Sequence, residues 1–131
     1  MSNENKTVFL VDDDQDILTQ LKFELNRSGY NVITAESQAD AEAMIKDISP
    51  DVAVFDLMME NSDSGFTLCY HMKKKHPGVP VILVTAVTSE TGLSFETVNS
   101  HERAWINADA ILNKPVRGEQ LKGEIERLTK K

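Results

Sequence analysis

Four short apolar runs in this chain each stop abruptly at polar residues: Val8 to Val11 at Asp12-Asp13-Asp14, Val52 to Phe55 at Asp56, Val81 to Val84 at Thr85, and Ala110 to Leu112 at Asn113-Lys114-Pro115. Unbroken apolar runs of strand length suit a parallel sheet covered on both faces. If the runs are neighbours in one such sheet, their polar ends fall together at its carboxyl edge, where open α/β sheets bind ligands. That edge then gathers three carboxylates, a hydroxyl and an ammonium. Carboxylates packed side by side repel and raise one another's pKa, so a divalent cation is their natural partner. A hard, oxygen-binding ion such as Mg²⁺ fits best.

Helical patterns alternate with these runs, which predicts α/β architecture with right-handed crossovers. Lys6 to Val11 reads as the first strand, and Ile17, Leu18, Leu21 and Leu25 then share one helical face. Gly29 ends that helix in a left-handed turn, and Tyr30 to Ala35 follows as the second strand. Ala39, Ala41, Met44, Ile45 and Ile48 mark a second helix that Pro50 breaks, before Val52 to Phe55 enters as a central strand. Gly65 to His76 reads as a third helix with Phe66, Cys69 and Met72 inward, and Val79 to Val84 as the fourth strand. Ala110 to Leu112 is a short fifth strand, and Gly118 to Leu128 a final helix burying Leu121, Ile125 and Leu128. Between Thr85 and Asp109 only a weak helical signal, from about Phe95 to Trp105, breaks a polar stretch.

The 131 residues suit one domain, with a polar tail over 1–5 and the folded unit over 6–131. A net charge of −7 disfavours direct binding to nucleic acid or to anionic membranes, so a protein partner is expected. The single cysteine, Cys69, has no internal disulfide partner, and no leader-like or membrane-length apolar segment is present, so the chain reads as cytoplasmic. The last helical pattern runs nearly to Lys131, so no attached output domain is expected unless the chain is a fragment. Lys73-Lys74-Lys75 is read as solvated charge complementing a helix C-terminus. Asp14 is read as the cap of the first helix, a role that one carboxylate fills without an adjacent pair. His71, His76 and His101 lack metal-site spacing.

Asp12-Asp13, Asp56, Thr85-Ala86 and Lys114-Pro115, each at the end of a strand and in this order, make the chain resemble a response-regulator receiver domain of two-component signalling. The resemblance covers nearly the whole chain. It implies a flavodoxin-like, CheY-like doubly wound (βα)5 fold, a three-layer sandwich around five parallel strands in order 2-1-3-4-5. It also implies that Asp56 accepts a phosphoryl group from a histidine kinase. Asp12, Asp13, Asp56 and the Met58 carbonyl would organise Mg²⁺, and Thr85 and Lys114 would bind phosphoryl oxygens. Such chemistry needs an in-line nucleophile and positive charge at the equatorial oxygens, which these residue types supply. Small Ala86 leaves space for the group to enter. A receiver is not a turnover enzyme: it catalyses only its own phosphorylation and dephosphorylation, and it acts by changing affinity for a downstream protein, as a monomer or weak homodimer.

The chain departs from the family in places. The glycine after the acceptor, Gly65, falls one residue later than in typical members, and Glu60 stands where they carry proline. Met58 and Val87 hold the positions that influence hydrolysis in this family; both are apolar, and a long-lived phosphoform is expected because neither helps an attacking water. Ile111 replaces the usual switching aromatic, and the fourth-helix region between Ala86 and Asp109 is extended and contains Trp105. Two rival readings are a degenerate receiver acting only as an interaction module and a Mg²⁺-dependent aspartyl-phosphate phosphohydrolase. The latter typically has a second Asp where Met58 stands.

Overall fold

A computed structural model describes residues 6–57, 59, 64–85, 108–114 and 116–129. Five strands, β1 (Thr7–Val11), β2 (Asn31–Ala35), β3 (Val52–Asp56), β4 (Val81–Thr85) and β5 (Ala110–Asn113), form one parallel sheet in the order β2-β1-β3-β4-β5. The helices among the described residues are α1 (Gln15–Arg27), α2 (Gln38–Ile45), α3 (Ser64–Lys75) and α4 (Gly118–Thr129). This is the expected doubly wound fold. None of these helices is long and apolar enough to cross a membrane.

Alternation along the strands divides the core into two layers. Val8, Leu10, Val52, Val54, Ile82 and Val84 face α1 and α4, where they pack on Leu18, Leu21, Leu25, Leu121 and Ile125. Phe9, Val11, Ala53, Phe55, Val81 and Leu83 face α2 and α3, meeting Ala41, Ile45, Leu68, Cys69 and Met72. Phe9 and Phe55 make an edge-to-face pair across β1 and β3, with ring centroids 5.8 Å apart. Every residue of β3 and β4 is buried, which is why those strands read as unbroken apolar runs.

Local chemistry sets the element ends. Asp14 caps α1, its carboxylate accepting from the N–H groups of Asp16 (3.0 Å) and Ile17 (3.3 Å). At the other end Gly29 adopts φ 98°, its N–H donates to the Asn26 carbonyl, and the Tyr30 N–H donates to the Leu25 carbonyl. That paired arrangement releases the chain into β2 with Tyr30 and Leu25 buried in the same layer. α2 is shorter than its apolar pattern suggests. It stops at Ile45, and Ile48 reaches the core from the turn that follows, while Ala39 lies exposed on the outer side. Leu68 joins Cys69 and Met72 on the buried side of α3, with Phe66 only partly covered. At the amino edge of the sheet, Asp51 accepts the Thr7 N–H through its carboxylate (2.7 Å) and donates its own N–H to the Thr7 carbonyl (2.8 Å). The tail over 1–5, the 95–105 helical signal, Trp105 and His101 lie outside the described residues.

Replacing Gly29 with Ala forces a Cβ into the left-handed region, which costs about 1–2 kcal/mol. Urea unfolding of Gly29→Ala should therefore show a lowered midpoint with an unchanged slope.

Candidate functional site

The parallel ladder continues one residue past several strand ends, and this places the functional side chains. Asp12 donates its N–H to the Ala35 carbonyl (3.3 Å), Leu57 to that of Val84 (2.8 Å), and Lys114 to that of Thr85 (2.8 Å). In register, Asp56 lies beside Val84, and Thr85 beside Asn113. The carboxyl edge thus assembles Asp12 and Asp13 after β1, Asp56 at the end of β3, Thr85 at the end of β4 and Lys114 after β5.

Asp12 and Asp56 are buried and Asp13 is exposed, yet one carboxylate oxygen from each lies within 4.8 Å of the others. Lys114 Nζ stands 3.1 Å from Asp56 Oδ1 and 3.6 Å from Asp12 Oδ2. The other oxygen of Asp12, Oδ1, accepts the Asp14 N–H at 2.9 Å, which fixes the first carboxylate of the acidic run. Asp14 itself turns away to cap α1. The acidic run is thereby divided between two jobs, as its sequence suggests.

One ammonium does not balance these carboxylates. Burial, and then the charge of Asp12, pushes the Asp56 carboxyl up to about 6, with Lys114 opposing. Asp12 is likewise raised by burial and by its acidic neighbours, against the Asp14 N–H and Lys114. Burial alone disfavours the charged form of Lys114, but the facing Asp56 and Asp12 outweigh it and its pKa is raised. The site therefore holds unbalanced negative charge around all-oxygen donors. An octahedral Mg²⁺ takes oxygen ligands at about 2.0–2.1 Å, and this all-oxygen donor set suits it. A crevice of about 740 Å³ between α1 and α4 opens beside Asp12, Asp56 and Lys114.

The start of α3 is drawn close to the backbone of Asp56 and Leu57. The Gly65 N–H donates to the Leu57 carbonyl (2.8 Å), and a Cβ at Gly65 would lie 2.7 Å from Leu57 Cα and 2.9 Å from the Asp56 carbonyl oxygen. Only a glycine lets α3 begin this close to the end of β3. Buried Ser64 donates to Gln38 Oε1 (2.7 Å), and Gln38 Nε2 donates to Glu42 Oε2 (2.8 Å), so the start of α3 is tied to α2. The contact with Gln38 has no signature in the sequence, because the partners meet only through the crossover. Ile111, expected as a modulating position, is a half-buried strand residue packed on the α2 and α3 layer. Met58, Glu60 to Asp63, Ala86, Val87 and Pro115 lie outside the described residues.

Comparison with known proteins agrees with this geometry. The response regulator receiver domain matches residues 8–126, and the chain belongs to that family. It is 29% identical over 127 residues to the alkaline phosphatase synthesis transcriptional regulatory protein PhoP of Bacillus subtilis (strain 168), covering 97% of this chain and 50% of that protein. It is 38% identical over 86 residues to the transcriptional regulatory protein GlrR of Escherichia coli (strain K12), covering 66% of this chain and 19% of that protein. The chain thus spans half the length of one relative and less than a fifth of the other. Among solved structures, a CheY-like response regulator receiver domain protein from Methanospirillum hungatei JF-1 superposes with a TM-score of 0.77 at 29% identity, covering 97% of this chain and 98% of that one. The receiver domain of the Francisella response regulator 1452 gives 0.79 at 28% identity, covering 96% and 98%.

Two outcomes follow. The Asp56 carboxyl is raised in the folded, metal-free protein, so the fold binds its proton more tightly than the unfolded chain does. The resulting stabilisation is complete below the unfolded value of 3.8 and is lost as pH rises through about 6. Thermal melts without metal should show stability falling by on the order of 2–3 kcal/mol across that window, and Asp56→Asn should flatten the fall. Separately, Gly65→Ala should destabilise the fold by about 1–3 kcal/mol through overpacking. Because the clash falls on the backbone of Asp56 and Leu57, it should weaken Mg²⁺ binding as well, which calorimetric titration measures.

Proposed function

We propose that this receiver accepts a phosphoryl group on Asp56 from a histidine kinase, with Mg²⁺, and thereby changes its affinity for a downstream protein. The observation that carries this reading is the buried Asp56 carboxylate, 3.1 Å from Lys114 Nζ and clustered with Asp12 and Asp13. Asp56 is the nucleophile: its oxygen forms the new bond to phosphorus as the bond to the donor's leaving atom breaks. Lys114 and the Thr85 hydroxyl are assigned to the equatorial oxygens of the group in flight. Asp12, Asp13, Asp56 and the Met58 carbonyl are assigned to the metal, which when bound neutralises the charge that would otherwise repel an anionic donor.

Modification converts a carboxylate already short of cations into a dianion. The new charge draws on Lys114 and Thr85, which end adjacent strands and are joined through the Lys114 N–H to Thr85 carbonyl bond. A change at Asp56 therefore reaches β4 and β5 together, and it supplies the bias on a two-state surface that signalling requires. The protein is assigned to the cytoplasm, as a monomer or weak homodimer, and it performs no chemistry on other substrates.

Incubation with Mg²⁺ and acetyl phosphate, followed by intact mass, tests the reading. We expect a gain of one phosphoryl group, absent in Asp56→Asn and abolished by chelator. Apolar Met58 and Val87 give no hydrogen-bond partner to an attacking water, so the adduct should decay slowly after the donor is removed. An unmodified mass under conditions where Mg²⁺ binds would overturn the assignment of Asp56, and rapid decay would overturn the role given to Met58 and Val87.

A further inference from the structure

On the face opposite α1 and α4, α2 and α3 leave a groove of about 700 Å³ between them. Its lining among the described residues comes from α2, the Lys46 that ends it, and α3 alone. Exposed Ala39 and Ala43 supply apolar surface over buried Ile45, and Lys46, Lys74 and Lys75 line it with positive charge. In a chain of net charge −7, this gathering of lysines is a local reversal of sign.

Helix-terminus electrostatics do not use up these cations. The last lysine-rich turn of α3 divides: Lys73 is taken by Asp109 at 2.7 Å, whereas Lys74 and Lys75 are exposed in the groove. The carbonyl of Ile45 at the end of α2 already faces His76 Nε2 at 3.1 Å. Lys74 lies over the exposed ring of Tyr70, 5.8 Å from its centroid, and neither Lys46 nor Lys75 meets a carboxylate among the described residues. Glu42, the one acidic residue of the lining, is engaged by Gln38 Nε2 at 2.8 Å and faces His71 at 3.7 Å. It forms no ion pair with the three lysines among the described residues.

We propose that this groove docks an acidic segment of a partner protein, small apolar side chains on Ala39 and Ala43 and carboxylates on Lys46, Lys74 and Lys75. The concave shape and small alanines admit one helix or strand lying between two helices, the helix-in-groove mode of recognition. A duplex or a bilayer presents a broad polyanionic surface that the chain's net charge repels, and neither offers apolar side chains to the floor. The groove is separate from the acceptor site but not isolated from it. Glu42 connects through Gln38 to Ser64, which opens α3 directly after the acceptor loop.

Selection of a phage-displayed random peptide library on the intact chain tests this, with counter-selection on Lys46→Glu/Lys74→Glu/Lys75→Glu. None of the three lies at the acceptor site, so labelling by acetyl phosphate should match wild type and report that the variant folds. The expected enrichment is of peptides combining Asp or Glu with small apolar residues. A synthetic peptide of that composition should bind wild type at least tenfold more tightly than the variant by fluorescence anisotropy, and weaken as salt rises. A milder Lys46→Gln/Lys75→Gln variant should lose affinity in the same direction. Enrichment of neutral or basic peptides, equal affinity for wild type and variant, or no enrichment would overturn the proposal. So would lysine-dependent retention on phosphatidylglycerol vesicles or duplex DNA in place of peptide.

Discussion

A carboxylate at the end of a strand buried on both faces is the constraint around which this molecule is arranged. β3 must be apolar to sit between two helical layers, and its last residue, Asp56, is only 4% exposed. A charge so placed has lost much of its water and must be compensated by other groups. The parallel register answers this by ending β1, β4 and β5 at the same edge, so that Lys114 and Thr85 arrive from one side and the acidic pair from the other. The topology that buries Asp56 is thus the topology that delivers its partners.

The compensation is deliberately incomplete in charge. Asp12 and Asp56 both approach one ammonium, and Asp13 adds a further negative charge from the exposed side. Pairing each carboxylate with its own lysine would give a quieter ion-pair network and leave nothing for a cation or phosphoryl group to do. The raised pKa of Asp56 expresses the same imbalance, since burial and the charge of Asp12 outweigh the single ammonium. Gly65 shows how closely the surroundings are drawn in. The start of α3 presses on the backbone of Asp56 and Leu57 at a distance that excludes even a methyl group.

How much of this was legible in the sequence depends on whether a feature is local. The strands and the residues at their polar ends could be read because apolar runs of β length and their abrupt stops are contiguous, whereas the order of the strands came from the family resemblance. The Asp14 cap and the Gly29 turn are contiguous as well, and both stand where they were expected. α2 was harder, because Ile48 belongs to the core without belonging to the helix, and Ala39 has the right character on the wrong side. Ser64 with Gln38, Lys73 with Asp109, and Asp51 with Thr7 carry no pattern at all. Each joins residues from different elements, and a serine or lysine in isolation looks like any solvated residue. Leu68 was missed for a different reason: α3 buries a wider stripe than three positions indicate.

The lysine triplet shows how tertiary placement gives unequal roles to identical neighbours. Successive helical residues point about 100° apart, so three consecutive lysines cannot share one environment. Lys73 turns toward β5 and holds Asp109, whose carboxylate also accepts the Val81 N–H at 2.8 Å and so anchors the start of β4. That interaction is structural and consumes the charge. Lys74 and Lys75 turn toward α2, where the helix ends before it can supply a carboxylate to meet them, and Glu42 is already committed through Gln38 to Ser64. The same short helix that left Ile48 outside its span thus leaves two lysines facing an alanine-lined gap, one of them over the Tyr70 ring and neither in an ion pair among the described residues.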